Sequence, residues 1–208
     1  MNSKLTTNYL LSFLTLTGAN SLLGQDLENL WITEVTPSTG AIEVTNVGRE
    51  TITTTDALPF CHRFNYGTSV PANTTFEPGQ SRIYTVSFSN PDQSDLWIYS
   101  RRSFGSSEAL LNGLKWGSTS SIGRTGVAVS GSNWDAASSF VPTPPEGESM
   151  LLTGPDPFSA ENWTTGPSDL GNFVRNVPEL AAEIEIIDGE ATLSVSYTHL
   201  TLPTTPYV

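Results

Sequence analysis

Glu34 and Glu43 are the residues of this chain best placed to do acid–base chemistry. They stand in two short runs, I-T-E-V at Ile32 to Val35 and I-E-V-T-N at Ile42 to Asn46, on either side of a turn at Pro37, Ser38, Thr39 and Gly40. Two carboxylates facing each other across a glycosidic bond are all that a glycosidase needs. Extracellular polymer hydrolysis through this pair is therefore one reading of the chain. The competing reading gives both residues an ordinary place on the polar face of a sheet, and it is preferred.

Other catalytic combinations fall away on residue types. A zinc site needs three or four ligands, and His62 is the only histidine outside the carboxyl-terminal tail. Neighbouring residues of a strand point to opposite faces, which separates His62 from Cys61 and leaves the cysteine a packing role. No G-x-S-x-G elbow is present. Asp92 and Asp95, in S-N-P-D-Q-S-D, lack the ligand spacing of a calcium loop and read as turn residues. No catalytic, metal or cofactor-binding residue is assigned, and the chain is read as non-enzymatic, with no cofactor.

Binding chemistry is better represented. Trp97 and Trp116 sit in apolar strand contexts, whereas Trp134, in G-S-N-W-D-A, and Trp163, in A-E-N-W-T-T, sit in polar loops. Those two are candidate ligand-binding residues, because exposed indole rings stack on sugars; Tyr66, Tyr84 and Tyr99 offer the same chemistry but are read mainly as core. Arg101 and Arg102 form a rare basic pair in an acidic chain and are candidate contacts for an acidic partner. With 21 acidic against 9 basic residues the formal charge is −12, which repels phosphate backbones at long range and argues against nucleic acid as a partner.

These side chains need a scaffold, and the pattern supplies strands. Apolar and polar residues alternate at Ile42 to Thr45 and at Tyr84 to Phe88, and Leu96 to Tyr99 is a continuous apolar run suited to a central strand. Further short strands are expected at Ile52 to Thr54, Leu114 to Trp116, Val127 to Val129 and Met150 to Leu152, each bounded by turn residues. Phe140 to Ser149, with three prolines, reads as an extended crossing. Loops at Arg101 to Asn112 and Ser118 to Gly126 are expected to carry partner contacts.

Residues 1–25 read as a secretory signal peptide, with Lys4 ahead of an apolar core from Tyr9 to Leu16. That core is shorter than the roughly 20 residues that cross a bilayer. The expected location is secreted or cell surface, with no membrane span in the mature chain. Residues 26–175 read as a β-sandwich domain. Residues 176–194 read as a hairpin with Asp188 and Gly189 at its turn, the possible start of a truncated second β domain beyond a hinge at Asn176 to Pro178. Residues 195–208 read as a non-native tail, because the codons for Val195 to Thr204 resemble a translated sequencing adapter. One cysteine excludes an internal disulfide.

Several pieces together resemble the lamin-tail domain family, an immunoglobulin-like β-sandwich of nuclear lamins and many exported bacterial proteins. They are I-T-E-V, I-E-V-T-N-V-G at Ile42 to Gly48, V-P-A-N-T-T-F-E-P-G at Val70 to Gly79, L-K-W-G at Leu114 to Gly117 and G-P-S-D-L-G-N at Gly166 to Asn172. The chain departs from the family at Thr51 to Ala57, which is polar where an apolar strand ending in Trp is common. The resemblance covers Leu27 to Phe173. It implies an all-β, immunoglobulin-like fold and an adhesion, scaffolding or targeting role in a larger exported protein, with a protein or a cell-envelope polysaccharide as partner. It places Glu34, Glu43, Asn46 and Trp116 as structural positions and transfers no catalytic residue. A carbohydrate-binding module is the first alternative, favoured if Trp134 and Trp163 lie exposed and coplanar; a hydrolase domain is the second, favoured if the two glutamates converge in a cleft.

Overall fold

A computed structural model describes residues 26–174 and the backbone of two later strands. The proposed signal, the Asn176 to Pro178 hinge, and Asp188 and Gly189 lie outside the described residues. In chain order the strands are β1 (Leu30–Thr36), β2 (Ala41–Asn46), β3 (Ile52–Thr53), β4 (Leu58–Cys61), β5 (Ser69–Val70), β6 (Thr75–Phe76), β7 (Ser81–Thr85), β8 (Ser94–Tyr99) and β9 (Leu110–Trp116). A one-turn helix, α1 (Thr125–Ser130), precedes β10 (Glu148–Leu152), β11 (Trp163–Pro167), β12 (Leu180–Ile187) and β13 (Glu190–Tyr197). The fold is all-β and sandwich-like, with antiparallel sheets ordered β11-β10-β1-β2-β7 and β5-β4-β8-β9, and a small β3-β6 pair. No helix among the described residues is long and apolar enough to cross a membrane.

The alternation in β1 and β2 becomes two faces of one sheet. Ile32 lies opposite Val44, and Val35 opposite Ile42, on the inner face. A register shift between Ile32 and Glu34 inserts Thr33 as a bulge, which turns both Thr33 and Glu34 to the outer face with Glu43. The continuous run of β8 is buried throughout, as expected of a central strand. All five tryptophans join the core, and Leu30, Ile32, Ile42, Leu58, Leu96, Leu114 and Phe76 are fully buried with them. Each such aliphatic side chain contributes about 1.5–3 kcal/mol.

A side chain fastens the two sheets together. Strand β10 pairs with β1 only at Glu34 and Val35, so the first half of β1 has no strand on that side. Asn112, fully buried in β9, fills the gap. Its Oδ1 accepts the Ile32 N–H at 2.9 Å and its Nδ2 donates to the Leu30 carbonyl at 2.7 Å. One amide thus does the work of a missing strand partner.

Three expectations need correction. Val127 to Val129 lies in α1, because two apolar positions one residue apart suit a helical turn as well as a strand, and here Thr125 and Ala128 are the residues turned inward. Tyr84 to Phe88 is displaced: β7 ends at Thr85, and Val86 N–H turns instead to the Gly40 carbonyl. The Arg101 to Asn112 loop stops short, since β9 begins at Leu110. The anticipated hairpin appears as β12 paired with β13, Ile184 opposite Leu193, and β13 extends through Val195, Ser196 and Tyr197 into the segment read as a tail.

Candidate functional site

The two glutamates are indeed neighbours, directly opposite across β1 and β2, yet neither faces a cleft. Glu34 is 2% exposed and Glu43 1%. Glu34 accepts from Ser168 Oγ at 2.7 Å and from the Asp169 N–H at 3.2 Å. Glu43 accepts from Thr33 Oγ1 at 2.6 Å and from the Gly171 N–H. Behind them Thr33, Thr45 and Ser81 form a hydroxyl chain with 2.8 and 2.7 Å links. The pair holds the segment after β11 across the outer face of the sheet.

The indole rings offered as stacking platforms are buried too. Trp134 is 1% exposed, packs edge-on against Trp97 at 5.9 Å and donates to the Ser139 carbonyl. Trp163 is 5% exposed and donates to the Pro157 carbonyl at 3.4 Å. They share no exposed face. Cys61 is buried, and burial with the nearby Asp95 carboxylate pushes its thiol up to about 11, away from reactivity. His62 packs edge-on against Phe88 at 5.2 Å, and burial lowers its pKa. Among the described residues no group of three or more His, Cys, Asp or Glu is arranged to hold a metal ion.

A different cluster lies on the outer face of the four-stranded sheet. Asp95 and Lys115 are opposite each other in β8 and β9, and both are fully buried. Asp95 Oδ1 accepts the Arg63 N–H at 2.7 Å, while Oδ2 accepts the Arg124 N–H and Trp97 Nε1, each at 2.7 Å. Lys115 Nζ donates to the carbonyls of Ser120 and Ala137. Burial raises the Asp95 pKa against the pull of its three donors, and burial lowers that of Lys115. Thus the pair fixes four points on the loops lying over this sheet. Asp95 is not the exposed turn residue that its setting in S-N-P-D-Q-S-D suggests, because the chain folds back over the start of β8.

The loops held by Asp95 carry an aromatic and basic surface. Arg63 and Phe64, at φ 45° and 66°, make the two-residue turn between His62 and Asn65, a conformation that favours Asn-Gly. Each non-glycine residue held there costs about 1–2 kcal/mol. Phe64 is nevertheless 56% exposed. The Arg124 guanidinium lies 4.9 Å from the Phe64 ring centre and donates to Tyr66 Oη at 2.8 Å. Tyr66 stacks on Phe104 at 4.0 Å, which brings up the loop bearing Arg101 and Arg102, both exposed. Of the sequence candidates, this arginine pair and Tyr66 lie at such a surface.

Arg124 and Phe64 were not singled out by residue pattern, since each is isolated and their meeting with Tyr66 depends on long-range folding. One signal was available: Arg-Phe in a tight turn next to an apolar strand is an unusual choice. Comparison of the chain with protein-family models, with curated proteins and with solved structures found no match.

Proposed function

We propose that this chain is a non-catalytic attachment module of a larger exported protein, built as an immunoglobulin-like sandwich of the lamin-tail type and working at the cell surface or outside the cell. The observation that carries the reading is the employment of its ionisable residues. Glu34, Glu43, Asp95 and Lys115, the groups best suited to acid–base work, are buried and hydrogen-bonded to loop backbone or loop hydroxyls. A general acid or base must instead reach a substrate proton. What the fold presents outward is a rigid loop surface, the arrangement that binding modules use.

The secreted location rests on the amino-terminal pattern, and the lamin-tail relationship on the motifs at Ile32, Ile42, Val70 and Gly166. Incubating the full chain with insoluble cell-envelope polysaccharide tests the reading, with depletion of protein from the supernatant and release of reducing ends measured together. Saturable depletion without release is expected. Sustained release by the wild type that disappears in Glu34→Gln or Glu43→Gln would establish a hydrolase and refute the proposal.

A further inference from the structure

Four of the nine basic residues, Arg63, Arg101, Arg102 and Arg124, belong to the outer loops of the four-stranded sheet. Elsewhere the chain is strongly acidic. The hydrogen bonds made by these guanidinium groups go to neutral acceptors, Arg63 to the Gln93 carbonyl at 2.9 Å and Arg124 to Tyr66 Oη. Among the described residues no carboxylate forms an ion pair with these guanidinium groups, although Asp95 lies beneath Arg63 and Arg124 and exposed Glu108 shares the loop of Arg101 and Arg102.

We propose that Arg63, Phe64, Tyr66, Arg101, Arg102 and Arg124 form a binding surface for an anionic polysaccharide, an assignment that rests on the attachment reading above. Each repeat of such a polymer offers an apolar C–H ring face and a carboxylate or sulfate. Exposed Phe64 takes the first, and the arginines take the second as charge-assisted hydrogen bonds. An acidic peptide pairs with the guanidinium groups but covers the ring only where its sequence places an apolar side chain, whereas every charged sugar unit carries both features. The exposed ring is already fixed, because Asp95 holds the backbone of Arg63 and Arg124 at once, so little ordering remains for binding. Overall negative charge does not prevent this, since at physiological salt screening limits charge effects to about 8 Å.

The test uses the full chain in affinity electrophoresis through gels carrying polygalacturonate, dextran sulfate, neutral dextran or poly-L-glutamate. Retention by polygalacturonate or dextran sulfate is expected, and whichever retains more names the anion. Raising NaCl from about 50 to about 300 mM should weaken it at least fivefold. R101Q/R102Q should weaken it about fivefold or more, as should Phe64→Gly. Glycine adopts φ +66° without strain, so Phe64→Gly removes the ring while thermal stability holds or rises. Equal retention by neutral dextran, stronger retention by poly-L-glutamate, indifference to both variants, or no retention would each overturn the surface. Release of reducing ends would instead overturn the attachment reading, so the two failures are distinct.

Discussion

Replacing Asn112 with Leu removes the link between the sheets while keeping the same branched arrangement of side-chain heavy atoms. The substitution leaves the Ile32 N–H and the Leu30 carbonyl, which Asn112 now satisfies at 2.9 and 2.7 Å, without partners in a fully buried setting. Each buried unsatisfied group costs about 1–3 kcal/mol, so the expected loss for the two is about 2–6 kcal/mol. Against a total stability of about 5–15 kcal/mol this is a large fraction. For a domain of this size it corresponds to a fall of about 4–24 °C in Tm. Urea unfolding followed by tryptophan fluorescence measures it directly, since all five indoles are buried. Asn112→Asp provides the control: it keeps an acceptor for Ile32 but sets a carboxylate oxygen against the Leu30 carbonyl. Burial raises that carboxyl's pKa, so its penalty is full at neutral pH and shrinks as acid protonates it and restores a donor. A loss below about 1 kcal/mol for Asn112→Leu, with an unchanged denaturant slope, would refute the strand-substitute role.

Asp95→Asn should destabilise by about 3–5 kcal/mol, because one amide cannot accept from both Arg63 and Arg124. It should also open the Arg63–Phe64 bond to trypsin under native conditions, and a turn as resistant as in the wild type would contradict the anchoring argument. Burial lowers the His62 pKa below its ordinary 6.5, so the unfolded chain binds the proton more readily and stability falls as pH drops through 6.5. His62→Gln should flatten that slope in melting curves taken between about pH 7.5 and 5.5. Cys61, with its thiol pushed up to about 11 and no exposure, should resist iodoacetamide in the native protein and react promptly in urea; equal rates would refute its burial. Gly113→Ala should unfold the chain at ordinary temperatures or lower Tm sharply, since a Cβ there meets the Leu96 carbonyl and lies 2.6 Å from the Trp97 ring. A fall of under about 2 °C would show that β8 and β9 separate easily.

Strand patterning was legible where burial is one-sided. Ile42 to Thr45 and Leu96 to Tyr99 declare their faces by alternation or by a continuous apolar run, and both are strands. Short segments such as Val127 to Val129 were ambiguous because two apolar residues fit either period, and here the segment is a helix packed against β9. Glu34 and Glu43 could be placed on neighbouring strands from sequence, but the loop that occupies them arrives from more than 120 positions away. Trp134 and Trp163 misled in a similar manner: their neighbours are polar, yet their rings turn inward over the sheet. Asp95 shows the limit most clearly, since its donors come from residues 32 and 29 positions distant and no local spacing announces them.

The segment from Ser168 to Gly171 leaves the edge strand β11 and crosses to β2, clipped by a carboxylate at β1 and another at β2. Mechanical tension applied to the chain beyond Phe173 is therefore delivered to the middle of the five-stranded sheet. The clips must fail before β11 can be peeled from β10 one bond at a time. This geometry resists load, because two carboxyl grips oppose the first displacement in parallel.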